Sequence, residues 1–160
     1  MSDVSVQVFV QDDPTIADEK ADGSLVAAVA AATGAVRNYD TDGDIPQTTY
    51  TDLLSGVKAG LQAAANSAGA DVLVFVGDGN TSNVDKAAVE AELDTLDGET
   101  FVLYVVVSNQ PSEVDEAWLN YLDDGHPKAA QIDVVYTGRE DVAEVVGREI
   151  DGFIASLTSA

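Results

Sequence analysis

Four polar segments of this chain each follow an apolar run. They are Gln11-Asp12-Asp13, Gly77-Asp78-Gly79-Asn80, Ser108-Asn109-Gln110 and Thr137-Gly138. Together they carry carboxylates, hydroxyls and side-chain amides. Oxygen donors of these kinds suit a hard cation such as Mg²⁺ or Ca²⁺. The same residue types also build turns and helix N-caps. A metal-binding rim and a set of structural turns therefore both fit the pattern.

Other stretches offer less chemistry. Asp40-Thr41-Asp42-Gly43-Asp44 alternates carboxylates as a calcium loop does. An EF-hand needs Gly at its sixth position and Glu at its twelfth, and this stretch has Gly at the fourth and Thr51 at the twelfth. A solvated acidic turn is the expectation there. His126 is the single histidine and lies in Asp123-Asp124-Gly125-His126-Pro127, where it reads as a loop residue. With no cysteine in the chain, a thiolate zinc site, a disulfide and a cysteine nucleophile are excluded. There is no Gly-x-Ser-x-Gly elbow, no Gly-x-Gly-x-x-Gly after a strand and no Walker loop. Trp118 stands at helical spacings from Val114 and Leu122, next to Leu119, and reads as a core or interface anchor.

The elements that would position these residues are those of an α/β protein. Residues 4–10, VSVQVFV, form a strand with polar alternation at Ser5 and Gln7. Residues 23–37 are Ala-rich and predict a buried helix, and 38–48 predict an irregular stretch. A helix is expected from about Thr51 to Ala68, with Leu53, Leu54, Val57, Leu61, Ala64 and Ala65 on one face. Residues 71–76 and 100–107 lack polar alternation, as strands covered on both faces do. Asn83 is placed to cap a helix through Leu96, and Ser112 one through Leu122. Residues 131–136 predict the last strand. A closing helix follows, with Val142, Val145, Val146, Ile150, Phe153, Ile154 and Leu157 on one stripe. The order predicts one domain over residues 1–160: a three-layer αβα sandwich on a mostly parallel, Rossmann-like sheet of four to six strands.

VLVFVGDGNTSN, then a helix, then TFVLYVVVSN, resembles the second half of a von Willebrand factor A domain. QTTYTDLLSGVKAGLQAA is similar to that family's middle-helix start, and IDVVYTGREDVAEVVGREIDGFIASL to its end. The resemblance spans residues 46–157 and, more loosely, 4–37. It implies a divalent cation held by an Asp-x-Ser-x-Ser loop, a Thr and a further Asp. Residue by residue, Asp78 matches the last Asp and Thr48 or Thr49 the Thr. Asp12 or Asp13 supplies the first Asp, and Thr15 stands for the first hydroxyl. Ala17 falls where the second Ser belongs, so the motif is degenerate. The family usually also has a two-stranded hairpin between its first and middle helices, for which 38–48 is too short and too polar. That shortfall leaves four strong strands. It puts residues 4–10 at or near an edge, with Val4, Val6 and Val8 as an interaction surface.

Charge bounds the partners. The chain has 29 acidic and 7 basic residues, for a net charge of −22. Such a surface repels nucleic acid and anionic membranes. The 20 Asp are spread over all segments and Lys appears only four times. This composition resembles that of proteins from salt-in halophiles, haloarchaea or their viruses, where a Debye length of about 3 Å at 1 M salt quenches self-repulsion. A basic partner for the acidic surface is the rival reading, although a partner patch should cluster the charge. No signal peptide or membrane span is expected, so the location is the cytoplasm or a virion at high salt. The expected function is a non-enzymatic protein–protein interaction or assembly module. A structural subunit of a haloarchaeal virion is one alternative, and a metal-dependent hydrolase acting at the strand-end rim is another.

Overall fold

The computed structural model describes residues 4–11, 47–50, 52–65, 70–77, 79–81, 84–96, 100–107, 114–137, 148–149 and 152. The elements are β1 (Val4–Gln11), β2 (Gln47–Tyr50), α1 (Leu53–Ala65), β3 (Ala70–Gly77), α2 (Lys86–Leu93), β4 (Thr100–Val107), α3 (Glu116–Asn120) and β5 (Ile132–Thr137). A π-helical turn, Tyr121–Gly125, continues α3, and a 3₁₀ turn, Ala129–Gln131, leads into β5. The expected helix at 23–37, the acidic turn at 40–44 and most of the closing helix lie outside the described residues.

The five strands form one sheet in the order β2-β1-β3-β4-β5, and every pairing is parallel. Long apolar runs produce β3 and β4. Alternate residues of a strand point to opposite faces, yet both faces are buried here. Val72, Val74, Val76, Leu103 and Val105 are 0% exposed on one face, and Leu73 and Phe75 at most 1% on the other. That is why these strands read as unbroken hydrophobic sequence.

The second face carries the described core. Phe9, Leu73, Phe75, Val102, Tyr104, Val106, Ile132 and Val134 meet Leu53 and Val57 of α1, Val89 and Leu93 of α2, and Trp118 and Leu119 of α3. Phe9 and Phe75 stack with ring centroids 5.1 Å apart. The α1 helix comes unusually close to these rings because two glycines face them. A Cβ on Gly56 would lie 2.8 Å from the Tyr50 ring, and one on Gly60 2.9 Å from Phe75. The buried stripe of α1 is thus Leu53, Gly56, Val57 and Gly60. Leu54, Leu61 and Ala64 pack at its margin, and Ala65, expected inward, is exposed.

Several boundaries differ from expectation. Asp52 opens α1, its carboxylate accepting from the Ser55 amide at 3.0 Å and the Ser55 hydroxyl at 2.9 Å. Asp85, not Asn83, caps α2, accepting from the Ala88 amide at 3.1 Å. Asp115, not Ser112, caps α3, accepting from the Trp118 amide at 3.3 Å. Many Asx and Ser residues near each helix start could satisfy free amides, so sequence alone marks the region and not the cap.

β1, expected at or near an edge, lies one strand in from it, between β2 and β3, so Val4, Val6 and Val8 are next to the outer strand and not on it. Their Cα partners on β3 are Ala70, Val72 and Val74, and Val8 also pairs with Gln47 of β2. Among the described residues, β2 covers Val8 to Gln11. Among the described residues, the four residues of β2 do not extend to Ser5 and Gln7, so polar alternation there fits a position near the edge. At the opposite edge, Asp123 accepts the Val134 amide at 3.1 Å, and the Tyr136 hydroxyl donates to Asn120 Oδ1 at 3.2 Å. A carboxylate on an edge amide blocks further strand pairing there.

Candidate functional site

The strand order locates the site. From β1 the chain goes first to one side, to β2, and then to the other, to β3. In open parallel sheets the crevice outside such a switch point, at the carboxyl ends of the strands, is where ligands bind. Here the switch lies between the ends of β1 and β3, at Gln11 and Gly77.

Four segments meet at that point. Tyr50, the last residue of β2, donates its hydroxyl to the carbonyl of Val76 at 3.0 Å. Tyr104 reaches the same place from the middle of β4. A Cβ on Gly77 would sit 2.5 Å from the Tyr104 hydroxyl, 2.9 Å from the Tyr50 hydroxyl and 3.1 Å from Gln11 Oε1. Three side-chain oxygens therefore crowd the bare Cα of Gly77. The phenols belong to buried residues, 6% exposed for Tyr50 and 7% for Tyr104. Only glycine leaves room for them. Its place at the end of an apolar run was the sequence signal that could have revealed this close approach.

Beside this cluster, the loop after β3 is fastened to the start of α3. Gly79 has φ +75°, which favours glycine, and a Cβ there would lie 2.8 Å from Val106. The Gly79 carbonyl accepts the Asp115 amide at 3.0 Å. The Thr81 hydroxyl donates to Asp115 Oδ2 at 2.7 Å, and the Lys86 ammonium pairs with the same oxygen. Lys86, Thr81 and the Trp118 amide hold the Asp115 carboxyl below its ordinary value, Lys86 contributing most. Lys86 also lies 5.8 Å from the centre of the Trp118 ring. Trp118 is buried as expected, and among the described residues its indole N–H has no hydrogen-bond partner.

Of the metal ligands expected from the sequence, Asp12, Asp13, Thr15 and Asp78 lie outside the described residues. Asp12 follows Gln11 and Asp78 follows Gly77, the two residues that flank the switch point. Thr48 and Thr49 are placed by their backbone inside β2, with Cα partners Phe9 and Val10. They lie in the strand that directly precedes α1. Among the described residues, no group of three His, Asp or Glu is arranged to hold a metal. Among the same residues, no helix is long and apolar enough to cross a membrane.

His126 is not an open loop residue. It is 4% exposed. Its Nδ1 accepts the Lys128 amide at 3.0 Å, which places the ring proton on Nε2. Nε2 then faces the Glu90 carbonyl at 3.3 Å and Asp94 Oδ1 at 3.1 Å. With both ring nitrogens engaged, His126 ties the turn before β5 to the end of α2. Its role is structural.

Fold and strand ends define an α/β protein with an all-parallel sheet and a cluster of polar side chains at its switch point. Comparison goes no further: no family model, no curated protein and no solved structure matches the chain.

Proposed function

We propose that the chain is a non-enzymatic protein–protein interaction or assembly module of a halophilic organism or its virus. In this reading it is a three-layer αβα domain resembling a reduced von Willebrand factor A domain, and it docks partners through the crevice at the strand ends. The observation that carries this is the adjacency of Gln11 and Gly77 across β1 and β3. The resemblance takes its two carboxylates from the residues that follow, Asp12 or Asp13 and Asp78. Adjacent strand ends are where such a pair has to originate to share one Mg²⁺ or Ca²⁺. Thr48 and Thr49, one strand further out, are the expected hydroxyl donors.

The test is a Mg²⁺ and Ca²⁺ titration at 2 M KCl followed by NMR. Saturable shifts at Gln11, Tyr50 and Gly77 that vanish in Asp78→Ala support a metal-dependent adhesion site. No response at millimolar cation removes it. Light scattering at the same salt separates the remaining readings. A defined oligomer supports the structural-subunit form of the proposal, and a strict monomer leaves only a hetero-partner. Turnover of phosphate or carboxylic esters, lost in Asp78→Ala, would replace the module with a metal-dependent hydrolase.

A further inference from the structure

One residue joins the loop after β3 to the starts of two helices. The chain leaves β3 at Gly77, passes Gly79, Asn80 and Thr81, and enters α2 at Lys86. The Gly79 carbonyl accepts the Asp115 amide at 3.0 Å, and the Thr81 hydroxyl donates to Asp115 Oδ2 at 2.7 Å. The Lys86 ammonium pairs with the same oxygen. Asp115 Oδ1 accepts the Trp118 amide at 3.3 Å and so starts α3.

An N-cap needs one acceptor for the first free amides of its helix. Asp115 Oδ1 fills that role. The other oxygen and the backbone N–H both serve the loop, so Asp115 does more than begin a helix. The bond from Thr81 is charge-assisted, and Thr81 is 8% exposed, which shields the bond from water. The loop is also packed tightly. Gly79 has φ +75°, and a Cβ there would lie 2.8 Å from Val106 and 3.0 Å from Val114, the residue before Asp115. On the other side, Gly77 is fixed in the β-ladder opposite Val106. Asp78 stands between these two held glycines in the sequence.

We infer that Asp115 and Thr81 are positioning residues for the strand-end cation site, fixing the loop to which Asp78 belongs. The inference rests on the reading of those strand ends as a divalent-cation site, and neither residue is one of its ligands. Affinity for a metal depends on the groups that hold its ligands in place, and losing one costs about 10–100-fold. A loop released from Asp115 has to be ordered when the ion binds, and that ordering entropy subtracts from the affinity.

The experiment titrates the intact chain with Mg²⁺ at 2 M KCl and follows the Gln11 and Gly77 signals by NMR. Thr81→Val removes the hydroxyl and leaves the charge and the α3 cap in place. Thr81→Ser keeps the hydroxyl. Asp115→Asn keeps a capping residue and removes the charge that Lys86 and Thr81 share. His126→Ala is a destabilised control, since it loosens the turn before β5 and leaves the Asp115 bonds intact. Expected is a dissociation constant at least about tenfold higher in Thr81→Val and Asp115→Asn. Thr81→Ser and His126→Ala should stay within about twofold of the parent, the margin of a site left undisturbed. Hydrogen exchange without Mg²⁺ gives a second readout. The Asp115 and Val84 amides, which donate to Gly79 and Thr81, should exchange about tenfold faster in Thr81→Val. Unchanged signals of buried Leu73 and Leu103 report that the variants remain folded. Parent-like affinity in Thr81→Val and Asp115→Asn would overturn the inference and leave the cation site standing. Equal weakening in His126→Ala would overturn it too, because general destabilisation would then explain the loss. So would unchanged exchange in Thr81→Val, which would show that the loop is not held by this bond. No response to Mg²⁺ in the parent would remove the cation site, and the inference with it.

Discussion

At the scale of single residues, the oxygen cluster at the strand ends depends on a missing atom. Gly77 has no Cβ, and the Tyr104 and Tyr50 hydroxyls stand within 2.9 Å of where one would be. Tyr50 cannot retreat without breaking its bond to the Val76 carbonyl. Gly77→Ala should therefore cost about 1–3 kcal/mol through overpacking. Tyr104→Phe in the same chain should return part of that loss, because it removes the nearest oxygen. Denaturant melts at 2 M KCl measure both, and an alanine variant as stable as the parent would show that the rings give way freely. His126 poses the opposite case, a side chain that is fully used. His126→Ala leaves the Lys128 amide without its acceptor and opens a cavity beside α2. A loss of about 2–3 kcal/mol is expected from those two effects, read in the same melts. A loss below about 0.5 kcal/mol, the size of an ordinary surface substitution, would mean that water replaces the imidazole.

At the scale of elements, the two glycines of α1 decide how near the helix lies to the sheet. Helix propensity alone favours Gly→Ala by about 1 kcal/mol. At Gly60 the new methyl would meet Phe75, which is 1% exposed and stacked on Phe9, so it has no room to move. Gly60→Ala should thus be destabilising despite its better propensity, while gains from propensity are expected only on the solvent side of the helix. A thermal melt compares Gly60→Ala with Lys58→Ala, an exposed control on the same helix, and a stabilised Gly60→Ala would show that α1 shifts outward at little cost. The same element shows what the sequence could and could not disclose. Val57 and Leu53 are legible as inward positions from their spacing, but Gly56 and Gly60 carry no hydrophobic signal. β3 and β4 were legible because burial on both faces removes polar residues from the whole run. β2 was not, since Gln47–Tyr50 is too short to show a period and its neighbours in sequence are polar. Strand order was not legible either, so the sequence places β1 only at or near an edge and does not show that β2 lies outside it. The rim was legible as a set of strand ends. Its buried oxygens were not, because Tyr104 sits inside an apolar run and Tyr50 precedes a helix, and only the folded sheet brings them to Gly77.

At the scale of the whole molecule, a charge of −22 sets how stability responds to salt and pH. Repulsion among exposed carboxylates reaches about 10 Å at 0.1 M salt and about 3 Å at 1 M, so stability should rise steeply between those conditions. One local cluster adds to this. Asp133 of β5 is raised from 3.8 to about 6, by burial first, then by a hydrogen bond with Glu149 and by the charge of Glu149. Asp123 is raised as well, by burial first and then by Asp133. An acid whose value is higher in the folded state binds more protons folded than unfolded. Its contribution to stability is therefore fully present below 3.8 and is lost as the pH rises through about 6. Asp115 and Asp52 act in the other direction. Lys86 chiefly lowers the first, and the Ser55 amide chiefly lowers the second. Their stabilisation is present above 3.8 and fades as the pH falls below it. The two trends place the stability maximum between about pH 4 and 6, on the acid side of the range common for proteins. Melting temperatures at fixed 0.5 M KCl should rise from pH 7.5 to pH 5 and fall again below pH 4. Asp133→Asn should flatten the step near pH 6 and leave the acid limb in place. A melting temperature that climbs from pH 5 to pH 7.5 would mean that Asp133 and Glu149 do not share a proton and that the cluster is held by something other than their hydrogen bond.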